Sequence, residues 1–525
     1  MKFLTKTDFI LYKECEKNVW IKWHRSEDYK KFPVSEFEKS LGLMGEDVEK
    51  EARKRFTGGI LIPDRSEKSV ELTKELITKK TPVIFQAVFT TEKYLAATDV
   101  IKWNEKANAY DLYEIKMSST TEEGSENEKI DRKKEIQYEY DLAFQTNVAK
   151  LCGINFNNKY LIRLNNEYVR HGELDYKNLF EETNKTEILS DVFLSVVETE
   201  MNSAYEYLSQ KEEPKGHCRC YYERGRSSHC TTFSLSNPDA TGYTVHDLNR
   251  IGNSKKLLGE LLNDGILNID DISIADERLI PKRTKNGEPG KPKKLNQVKV
   301  YKTKEPIVDI DSIKAELNSL KYPLYFLDYE TYPTAIPPFN GYRPYQHIVF
   351  QYSLHILRSR DAELEHRECL IFEGDPAPKL VESLRKDIGD TGSVISWYKA
   401  FENSRNRELA EMLPEYADFL HSVVDRTYDL MDIVDKQYYV HHGFKGSSSI
   451  KKIQPVIAPD FSYKELDVKN GTEAIEAYKQ ATSGKFTAKE LETKKSQMLK
   501  YCEYDTLVMY KIWKFFTELV EENKK

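Results

Sequence analysis

Two groups of acidic residues stand at spacings that would bring their side chains together. In the segment DLYEIKMSS, Glu114 and Lys116 are two residues apart, so on a strand both side chains point to one face. Asp99 lies near the end of the preceding apolar run, YLAATDVIKW. Two carboxylates that hold a divalent cation, beside an ammonium group that orients water and offsets charge on a phosphorane, suit phosphodiester hydrolysis. This stretch therefore predicts a cation site.

The second group lies in the last two hundred or so residues. Asp328 and Glu330 alternate with apolar residues in LYFLDYETY and would share one face of a strand. Tyr501 and Asp505 are four apart in KYCEYDTLVMYKIW, so they stack on one face of a helix. Between these segments, SVISWYKAFENS is predicted to be a strand that leads into a turn, and Phe401 in it is followed by Glu402.

Periodicity predicts the elements that would position these residues. Apolar residues recur at three- and four-residue steps between Phe37 and Phe56, which is typical of an amphipathic helix, and Glu49 lies at the border of its apolar stripe. YLAATDVIKW and DLYEIKMSS are predicted to be adjacent strands, and DLAFQTNVAKL a helix that carries Gln145. From Tyr322 onward the pattern is α/β. The predicted fold class is α/β and multidomain.

The ordered series of the first half, helix, strand, strand, helix, resembles the PD-(D/E)XK nuclease fold in its RecB-like branch. The resemblance implies Mg²⁺ or Mn²⁺ as cofactor, held by Glu49, Asp99 and Glu114, with Lys116 and Gln145 as further catalytic residues. In that branch the position of Glu49 is often a histidine. A tyrosine that usually follows the glutamine by four residues is missing here.

Cysteines stand at both ends of that half: Cys15, then Cys218, Cys220 and Cys230. The arrangement resembles the iron–sulfur type of RecB-like nuclease, which implies a 4Fe-4S cluster on the four thiolates. Two alternatives stay open. His217 and His229 could join the thiolates in a Zn²⁺ site, or the cysteines are reduced and structural.

The three segments of the second half together resemble the DEDD exonuclease family of the RNase H-like fold, tyrosine subtype. The resemblance implies that four carboxylates hold two metal ions, and that Tyr501 orients the attacking water. The four are Asp328, Glu330, Glu402 and Asp505. Glu402 stands where that family has an aspartate, and Tyr398 where it has an asparagine. The whole chain resembles a bacterial family of unknown role that joins an iron–sulfur RecB-like half to a DEDD half.

Length and composition limit the class of protein. The 525 residues are 39 % apolar and 31 % charged, with a net charge of −7, which predicts several folded domains and excludes a simple polycation. No apolar run has the length of a membrane span and the start lacks a signal peptide, so we expect a cytoplasmic protein. We predict a nuclease domain (1–235), a small helix–hairpin–helix-like unit (236–277), a basic linker (278–320) and an exonuclease domain (321–525).

These observations favour a metal-dependent nuclease that acts on single strands or strand ends, as a 3′–5′ exonuclease at its second site. The resemblance implies nucleic acid as the partner, DNA in preference to RNA, with a helicase or a defence or repair protein as a second partner. Two alternatives remain: a module that binds nucleic-acid ends with one or both sites inactive, and a structural or regulatory zinc protein.

Overall fold

The computed structural model describes residues 2–32, 34–120, 128–224, 232–281, 290–460, 466–484 and 486–523. The chain divides into two compact units, and each contains helices and a mixed β-sheet. Unit 1 comprises Met1–Tyr221, Arg226–Asp239 and Thr334–Gln346; unit 2 comprises Tyr222–Gly225, Ala240–Pro333 and His347–Lys525. The protein is therefore a mixed α/β, multidomain protein. The assignment of Thr334–Gln346 to unit 1 differs from the predicted domain boundaries, because no composition shift marks that stretch.

The strands of unit 1 are β1 (Leu4–Thr5), β2 (Ile60–Leu61), β3 (Val83–Thr90), β4 (Tyr94–Asn104), β5 (Ala109–Ser119), β6 (Phe156–Leu164) and β7 (Phe180–Asn184). The helices in the same part of the chain are α1 (Lys6–Glu14), α2 (Glu16–His24), α3 (Ser26–Tyr29), α4 (Glu36–Arg53), α5 (Glu67–Thr78), α6 (Glu128–Leu151), α7 (Tyr176–Leu179), α8 (Asp191–Ser209), α9 (Arg219–Glu223) and α10 (Phe233–Ser236). The sheet order is β2-β3-β4-β5-β6-β7, and β1 pairs with β4.

Strand β5 is buried on both faces, and this fixes the direction of its polar residues. Leu112 packs in a core together with residues of α6, whereas Tyr113 and Ile115 pack in a second core together with residues of α4. β5 and β6 are parallel, so they need a crossover connection, which α6 provides. Because side chains alternate along a strand, Glu114 and Lys116 share the Leu112 face, on the side of α6.

The strands of unit 2 are β8 (Ile307–Val308), β9 (Leu324–Pro333), β10 (His347–Leu357), β11 (Leu364–Leu370), β12 (Ser393–Ser396), β13 (Thr427–Asp429) and β14 (Tyr439–Val440). Its helices are α11 (Lys255–Asn263), α12 (Lys293–Thr303), α13 (Ile310–Asn318), α14 (Ala377–Asp387), α15 (Lys399–Met412), α16 (Ala417–Asp425), α17 (Asp432–Asp435), α18 (Ile450–Ile457), α19 (Gly471–Thr482) and α20 (Ala488–Glu522). The main sheet has the order β11-β10-β9-β12-β13, and β8 pairs with β14.

The central strand β9 is covered on one face by the long C-terminal helix α20. A capping box of Thr487 and Glu490 starts this helix, because each side chain accepts a hydrogen bond from the other residue's backbone N–H. Phe326 of β9 packs against Trp513 of α20, with ring centroids 6.0 Å apart. Asp328 and Glu330 lie two and four residues after Phe326, so the same face of β9 carries them toward α20.

Part of the stretch that was predicted to be a solvated basic linker is folded. Helix α12 lies inside it, and its Val298 packs with Leu258 and Leu261 of α11 in a small core. The apolar residues of α12 are too few to stand out from the surrounding lysines in the sequence. The second helix predicted after α11 is a single 3-10 turn, Ile269–Asp271. Within the described residues, no helix combines the length and the apolar character of a membrane span.

Candidate acidic and thiol sites

The Glu114 site is a group of buried and half-buried polar side chains in unit 1, formed by Lys6, Asp99, Glu114, Lys116, Asp141 and Gln145. Glu114 is 1 % exposed and accepts hydrogen bonds on both oxygens. Lys6 Nζ lies 2.6 Å and Lys116 Nζ 2.8 Å from its Oε1, while Gln145 Nε2 donates to its Oε2 at 2.6 Å. The structure therefore brings together Glu114, Lys116 and Gln145, which the sequence analysis selected.

Asp99 lies beside Glu114 because β4 and β5 are antiparallel, in a register that pairs Val100 with Tyr113. Its Oδ2 accepts a hydrogen bond from the backbone N–H of Ile115 at 2.8 Å. Burial, and then the charge of Glu114, raise the pKa of Asp99 to about 7. Burial opposes ionisation of Glu114 as well, but Lys116 and Lys6 outweigh it and lower the pKa of Glu114 to about 2. Without a cation, one carboxyl is ionised at neutral pH and the other is poised to titrate.

Glu49 reaches the edge of this site through Gln86. Its carboxylate pairs with Arg53 one helical turn later and accepts a hydrogen bond from the Gln86 side chain. The same amide lies 3.4 Å from Asp99 Oδ1, so Gln86 bridges the two carboxylates. Gln86 has a φ of 55° within strand β3, a left-handed conformation that is costly for a residue with a side chain. Strain of this kind concentrates at functional sites.

Three residues in and around this site were not predicted from the sequence: Lys6, Gln86 and Asp141. Lys6 stands 108 residues before its partner Glu114, and no local pattern connects them. Gln86 lies in an apolar strand with no motif around it. Asp141 also binds Lys116, and its position four residues before Gln145 on the same helix face could have identified it.

The Glu114 site offers oxygen donors of the kind that Mg²⁺ and Mn²⁺ prefer. The oxygens of Glu114 are, however, already hydrogen-bonded to Lys6, Lys116 and Gln145. A cation held between Asp99 and Glu114 must therefore replace at least one of the two ammonium groups at Glu114. Lys6 is the one that it would replace, because Lys6 lies on helix α1 whereas Lys116 is part of strand β5. The oxygen atoms of Asp99 and Glu114 fit a hard divalent cation, provided that the ammonium group of Lys6 moves away.

The Asp328 site is a cavity of about 230 Å³ in unit 2, lined by Asp328, Glu330, Glu402, Lys451, Tyr501 and Asp505, among other residues. Strand β9 supplies the first two carboxylates, α15 supplies Glu402, and α20 supplies Tyr501 and Asp505. These five residues of the second predicted site thus meet at one cavity. Lys451, on α18, also lines the cavity and was not among the predicted site residues.

The carboxyl groups of this cavity repel one another in a buried setting. Burial, and then the charge of Asp505, raise the pKa of Asp328 well above its usual range. Burial and the charge of Asp328 raise the pKa values of Glu330 and Glu402 in the same way. The buried Glu402 Oε2 atom has no hydrogen-bond partner among the described residues. A cluster of buried acids with an orphaned oxygen fits divalent cations, whose charge would remove the repulsion.

The middle segment of this site differs from its prediction. Glu402 lies in the first turn of helix α15 and not on a turn after a strand. Tyr398 precedes that helix with a φ of 74° and is 55 % exposed. Asp429 caps the start of α15, because its carboxylate accepts hydrogen bonds from the backbone N–H groups of Tyr398 and Lys399, both at 2.9 Å. The side chain of Asp429 therefore has a structural role beside the cavity.

A thiol also lies at this cavity. Cys502 is fully buried, and its Sγ is 3.9 Å from Asp328 Oδ2. Cys502 was not among the predicted site residues. Burial, and then the charge of Asp328, raise the pKa of the thiol well above its usual range, so it remains protonated.

We expect the metal-free protein to lose stability as pH rises. Asp328, Glu330 and Glu402 have raised pKa values in the folded state, so the folded protein binds more protons than the unfolded chain. The free energy of unfolding then decreases as the pH rises. The decrease begins at about pH 4, the usual pKa range of a carboxyl group, and ends when the pH exceeds the raised pKa values of the folded state. Thermal unfolding in EDTA between about pH 5 and about pH 8 measures this slope.

The substitution Asp328→Asn should make that slope shallower, whereas Asp361→Asn, in an exposed turn, should leave it unchanged. Equal slopes for both variants and the original protein would contradict the buried repulsion at the Asp328 site.

Three thiols come together at the ends of unit 1. The Sγ atoms of Cys15, Cys218 and Cys220 all lie within 4.8 Å of one another, and the three residues are buried. Asn237 holds Cys218 in place, since its side-chain amide donates to Sγ at 3.2 Å and its oxygen accepts from the Cys218 backbone N–H. The fourth predicted ligand, Cys230, lies outside the described residues.

The histidines that could join a zinc site are only partly described. His217 stacks on Tyr221, with ring centroids 3.7 Å apart, and its Nδ1 lies 3.5 Å from Asp239 Oδ1. His229 lies outside the described residues. Three thiolates suit soft cations, which include both Zn²⁺ and the iron of a 4Fe-4S cluster. The donor chemistry therefore fits a metal centre and leaves the metal open.

We expect protein purified without oxygen to contain iron or zinc that depends on these thiols. Cys218→Ala should remove the metal, because one ligand and its Asn237 contact are lost together. Cys369→Ala, a half-buried cysteine of unit 2, is the matched control and should retain it. Metal analysis measures the content, and absorbance near about 400 nm distinguishes an iron–sulfur cluster from zinc. Equal metal content in both variants would exclude this cluster as the binding site.

Comparison with known proteins gives two similarities. A family described as "Domain of unknown function (DUF2779)" matches residues 325–449. This range includes Asp328 and Glu330 of β9, and Glu402 of α15. The uncharacterized protein MG366 of Mycoplasma genitalium is 26 % identical to this chain over 231 residues. That match covers 41 % of this chain and 35 % of MG366, so the chain matches about a third of its relative's length.

Proposed function

We propose that this protein is a metal-dependent nuclease that hydrolyses phosphodiester bonds of nucleic acid. The observation that carries the proposal is the meeting of Asp328, Glu330, Glu402, Asp505 and Tyr501 at one cavity. Acids from three separated segments cost stability when buried together, so a fold that keeps them calls for a compensating cation. The DEDD, tyrosine-subtype resemblance of these segments supports a 3′–5′ exonuclease at this site.

At the Asp328 site, the four carboxylates would hold the cations, and Tyr501 would position a water molecule for attack on the phosphate. Bound divalent cations supply activation of that water and stabilise the leaving oxygen. Lys451 is the basic side chain at the cavity wall, with its Nζ 5.8 Å from the centre of the Tyr501 ring. Its charge would attract the phosphate backbone toward an otherwise negative cavity.

At the Glu114 site, Asp99 and Glu114 would hold the cation, with Glu49 at the border of the site. Lys116 keeps its ammonium group charged, because Glu114 and Asp141 outweigh the effect of its burial and raise its pKa above the usual value. A permanently charged group two residues from Glu114 can orient water and offset charge on the phosphorane. The series of helix, strands and helix that carries these residues supports a PD-(D/E)XK nuclease of the RecB-like branch.

A digestion assay on end-labelled strands tests the proposal. Single-stranded and double-stranded DNA and RNA, each with a free or a blocked 3′ end, are incubated with the full chain in Mg²⁺, Mn²⁺ or EDTA. We expect cation-dependent shortening of single-stranded DNA from the free 3′ end. Absence of hydrolysis on every substrate, in both cations, would refute the proposal.

A second candidate is a module that binds nucleic-acid ends with the Glu114 site inactive. The observation that favours it is the complete pairing of Glu114, whose Oε1 contacts two ammonium groups and whose Oε2 contacts an amide. If the Glu114 site is inactive, the Asp99→Asn protein hydrolyses all substrates at the original rate. If the site is active, the total rate of hydrolysis by the Asp99→Asn protein is lower than that of the original protein. Strand binding, measured by fluorescence anisotropy in EDTA, should persist in the variant under both candidates.

A further inference from the structure

Two histidines face each other on the antiparallel strands β10 and β11. Strand β11 is at one edge of the main sheet of unit 2, and β10 lies between β11 and β9. His355 and His366 are directly opposite in the antiparallel register, and their ring centroids are 4.6 Å apart. Glu503 of α20 lies next to them, with its Oε1 4.0 Å from His366 Nδ1. One ligand atom from each of these three residues lies within 4.8 Å of the others.

The hydrogen bonds around the two rings decide which nitrogens carry protons. Thr506 Oγ1 lies 3.0 Å from the carbonyl oxygen of Glu503, and its single proton must be donated there, because a carbonyl can only accept. The 2.8 Å contact between His355 Nδ1 and Thr506 Oγ1 is then a bond that the ring donates. The lone pair of His355 is thereby left on Nε2.

The same proton count applies to the second ring. Ser353 Oγ lies 2.8 Å from Thr506 Oγ1, and Ser353 must donate in that contact, because the proton of Thr506 is already used. Ser353 Oγ then accepts from His366 Nε2 at 3.0 Å. The lone pair of His366 is left on Nδ1, which is the nitrogen that faces Glu503. Both rings are fixed by hydroxyl groups in the way that outer contacts orient metal-binding histidines.

We infer that His355, His366 and Glu503 form a binding site for one divalent transition-metal cation of the Zn²⁺ class. Two imidazole nitrogens and one carboxylate suit Zn²⁺, whereas Mg²⁺ and Ca²⁺ prefer oxygen ligands alone. Glu368 lies two residues after His366 on the same face of β11 and is a further carboxylate near the site. A water molecule or this carboxylate would complete a tetrahedral set.

This site is separate from the proposed hydrolytic chemistry but shares an element with it. Glu503 lies between Tyr501 and Asp505 on α20, so a cation bound here would join the β10–β11 hairpin to the helix that carries two residues of the Asp328 site. We expect occupancy to raise the thermal stability of the protein, as any ligand specific to the folded state does.

Calorimetric titration of the full chain with Zn²⁺, in excess Mg²⁺, tests the inference. Magnesium occupies the oxygen-only sites, and zinc bound by thiols is common to every variant and therefore cancels in the comparison. His366→Ala and Glu503→Gln should each bind one equivalent of zinc less than the original protein. His421→Ala, which removes an exposed histidine of α16, is the matched control and should lose none.

A second variant tests the orientation of the rings. Thr506→Val keeps the shape of a buried side chain but removes the acceptor for His355, so the zinc should bind about 10- to 100-fold more weakly. Glu503 is 44 % exposed, so Glu503→Gln reports on the ligand without disturbing the core. Zinc stoichiometry and affinity that are the same in His366→Ala, Glu503→Gln and the original protein would overturn the inference.

Discussion

Asp328→Asn is expected to reduce Mg²⁺-dependent hydrolysis of a free 3′ end by about 1000-fold or more, since metal-assisted charge stabilisation contributes several kcal/mol to the transition state. The charge of Asp328 raises the pKa values of both Glu330 and Glu402, so Asp328 interacts with two other acids of the cavity. An amide in its place keeps the size of the side chain and removes the negative charge. Initial rates on end-labelled single strands, at saturating Mg²⁺, measure the loss.

The same variant should be more stable than the original protein in EDTA, because one member of the buried repulsion is neutral. Asp361→Asn is the matched control: the same chemical change in an exposed turn should alter neither rate nor stability. A fully active Asp328→Asn protein would assign hydrolysis to another site. A destabilised one would show that the acids of the cavity attract other groups more than they repel each other.

Glu114→Gln is expected to lower the free energy of unfolding by about 3 kcal/mol, because breaking a buried ion pair leaves its partner charge uncompensated. Glu114 is 1 % exposed, and its Oε1 atom receives the ammonium groups of both Lys6 and Lys116. A neutral amide cannot balance them, and one half of it would present N–H groups to a lysine or to Gln145. Urea unfolding at neutral pH measures the change.

Glu71→Gln provides the comparison for this change, since Glu71 is an exposed residue of helix α5 in the same unit. Its effect on stability should be within a few tenths of a kcal/mol, as is usual on a surface. A Glu114→Gln protein as stable as Glu71→Gln would mean that the two lysines find other partners, and that the buried ion pair is not what positions them.

The two substitutions make a chemically similar change with opposite expected effects on the metal-free protein. Removing a charge at Asp328 relieves repulsion among acids, whereas removing one at Glu114 deprives Lys6 of its ion-pair partner and leaves Lys116 paired with Asp141 alone. The difference follows from the neighbours, because the Asp328 cavity has Lys451 as a basic side chain on its wall and the Glu114 site has Lys6 and Lys116 in contact. A cation should therefore stabilise the Asp328 site more than the Glu114 site.

The relative positions of site residues could be predicted from the sequence where the residues lie close together in the chain. Asp328 and Glu330 share a face because strands have a period of two, and Tyr501 and Asp505 share one because helices have a period near four. Glu114 and Lys116 share a face of β5 for the same reason as Asp328 and Glu330, and Leu112 on that face is buried in the core. Local periodicity thus predicts which side chains close together in sequence share a face.

Contacts between distant segments could not be derived in this way. Lys6 and Gln86 meet the Glu114 site only because β1, which ends directly before Lys6, and β3 both pair with β4, and neither residue stands in a recognisable motif. Glu402 was assigned to a turn because Tyr398, which precedes helix α15, is not a capping residue, and the start of the helix is capped instead by Asp429 from a distant segment. The folded part of the basic stretch depends on Val298 and Val300, two apolar residues among many charges.

The course of the chain after strand β9 has a practical consequence. Thr334–Gln346 belongs to unit 1, where the buried Ala335 packs in the core beside β5 and Arg170 donates hydrogen bonds to the carbonyl oxygens of Pro337 and Pro338. A truncated chain that ends near Asp239 would lack Thr334–Gln346, which is part of the core of unit 1. A truncated chain that begins after Asp239 would contain this segment without the core against which it packs. Neither unit can be prepared intact from one continuous segment of the chain. Experiments on this protein therefore need the full chain, or a unit 1 segment to which residues 334–346 have been joined.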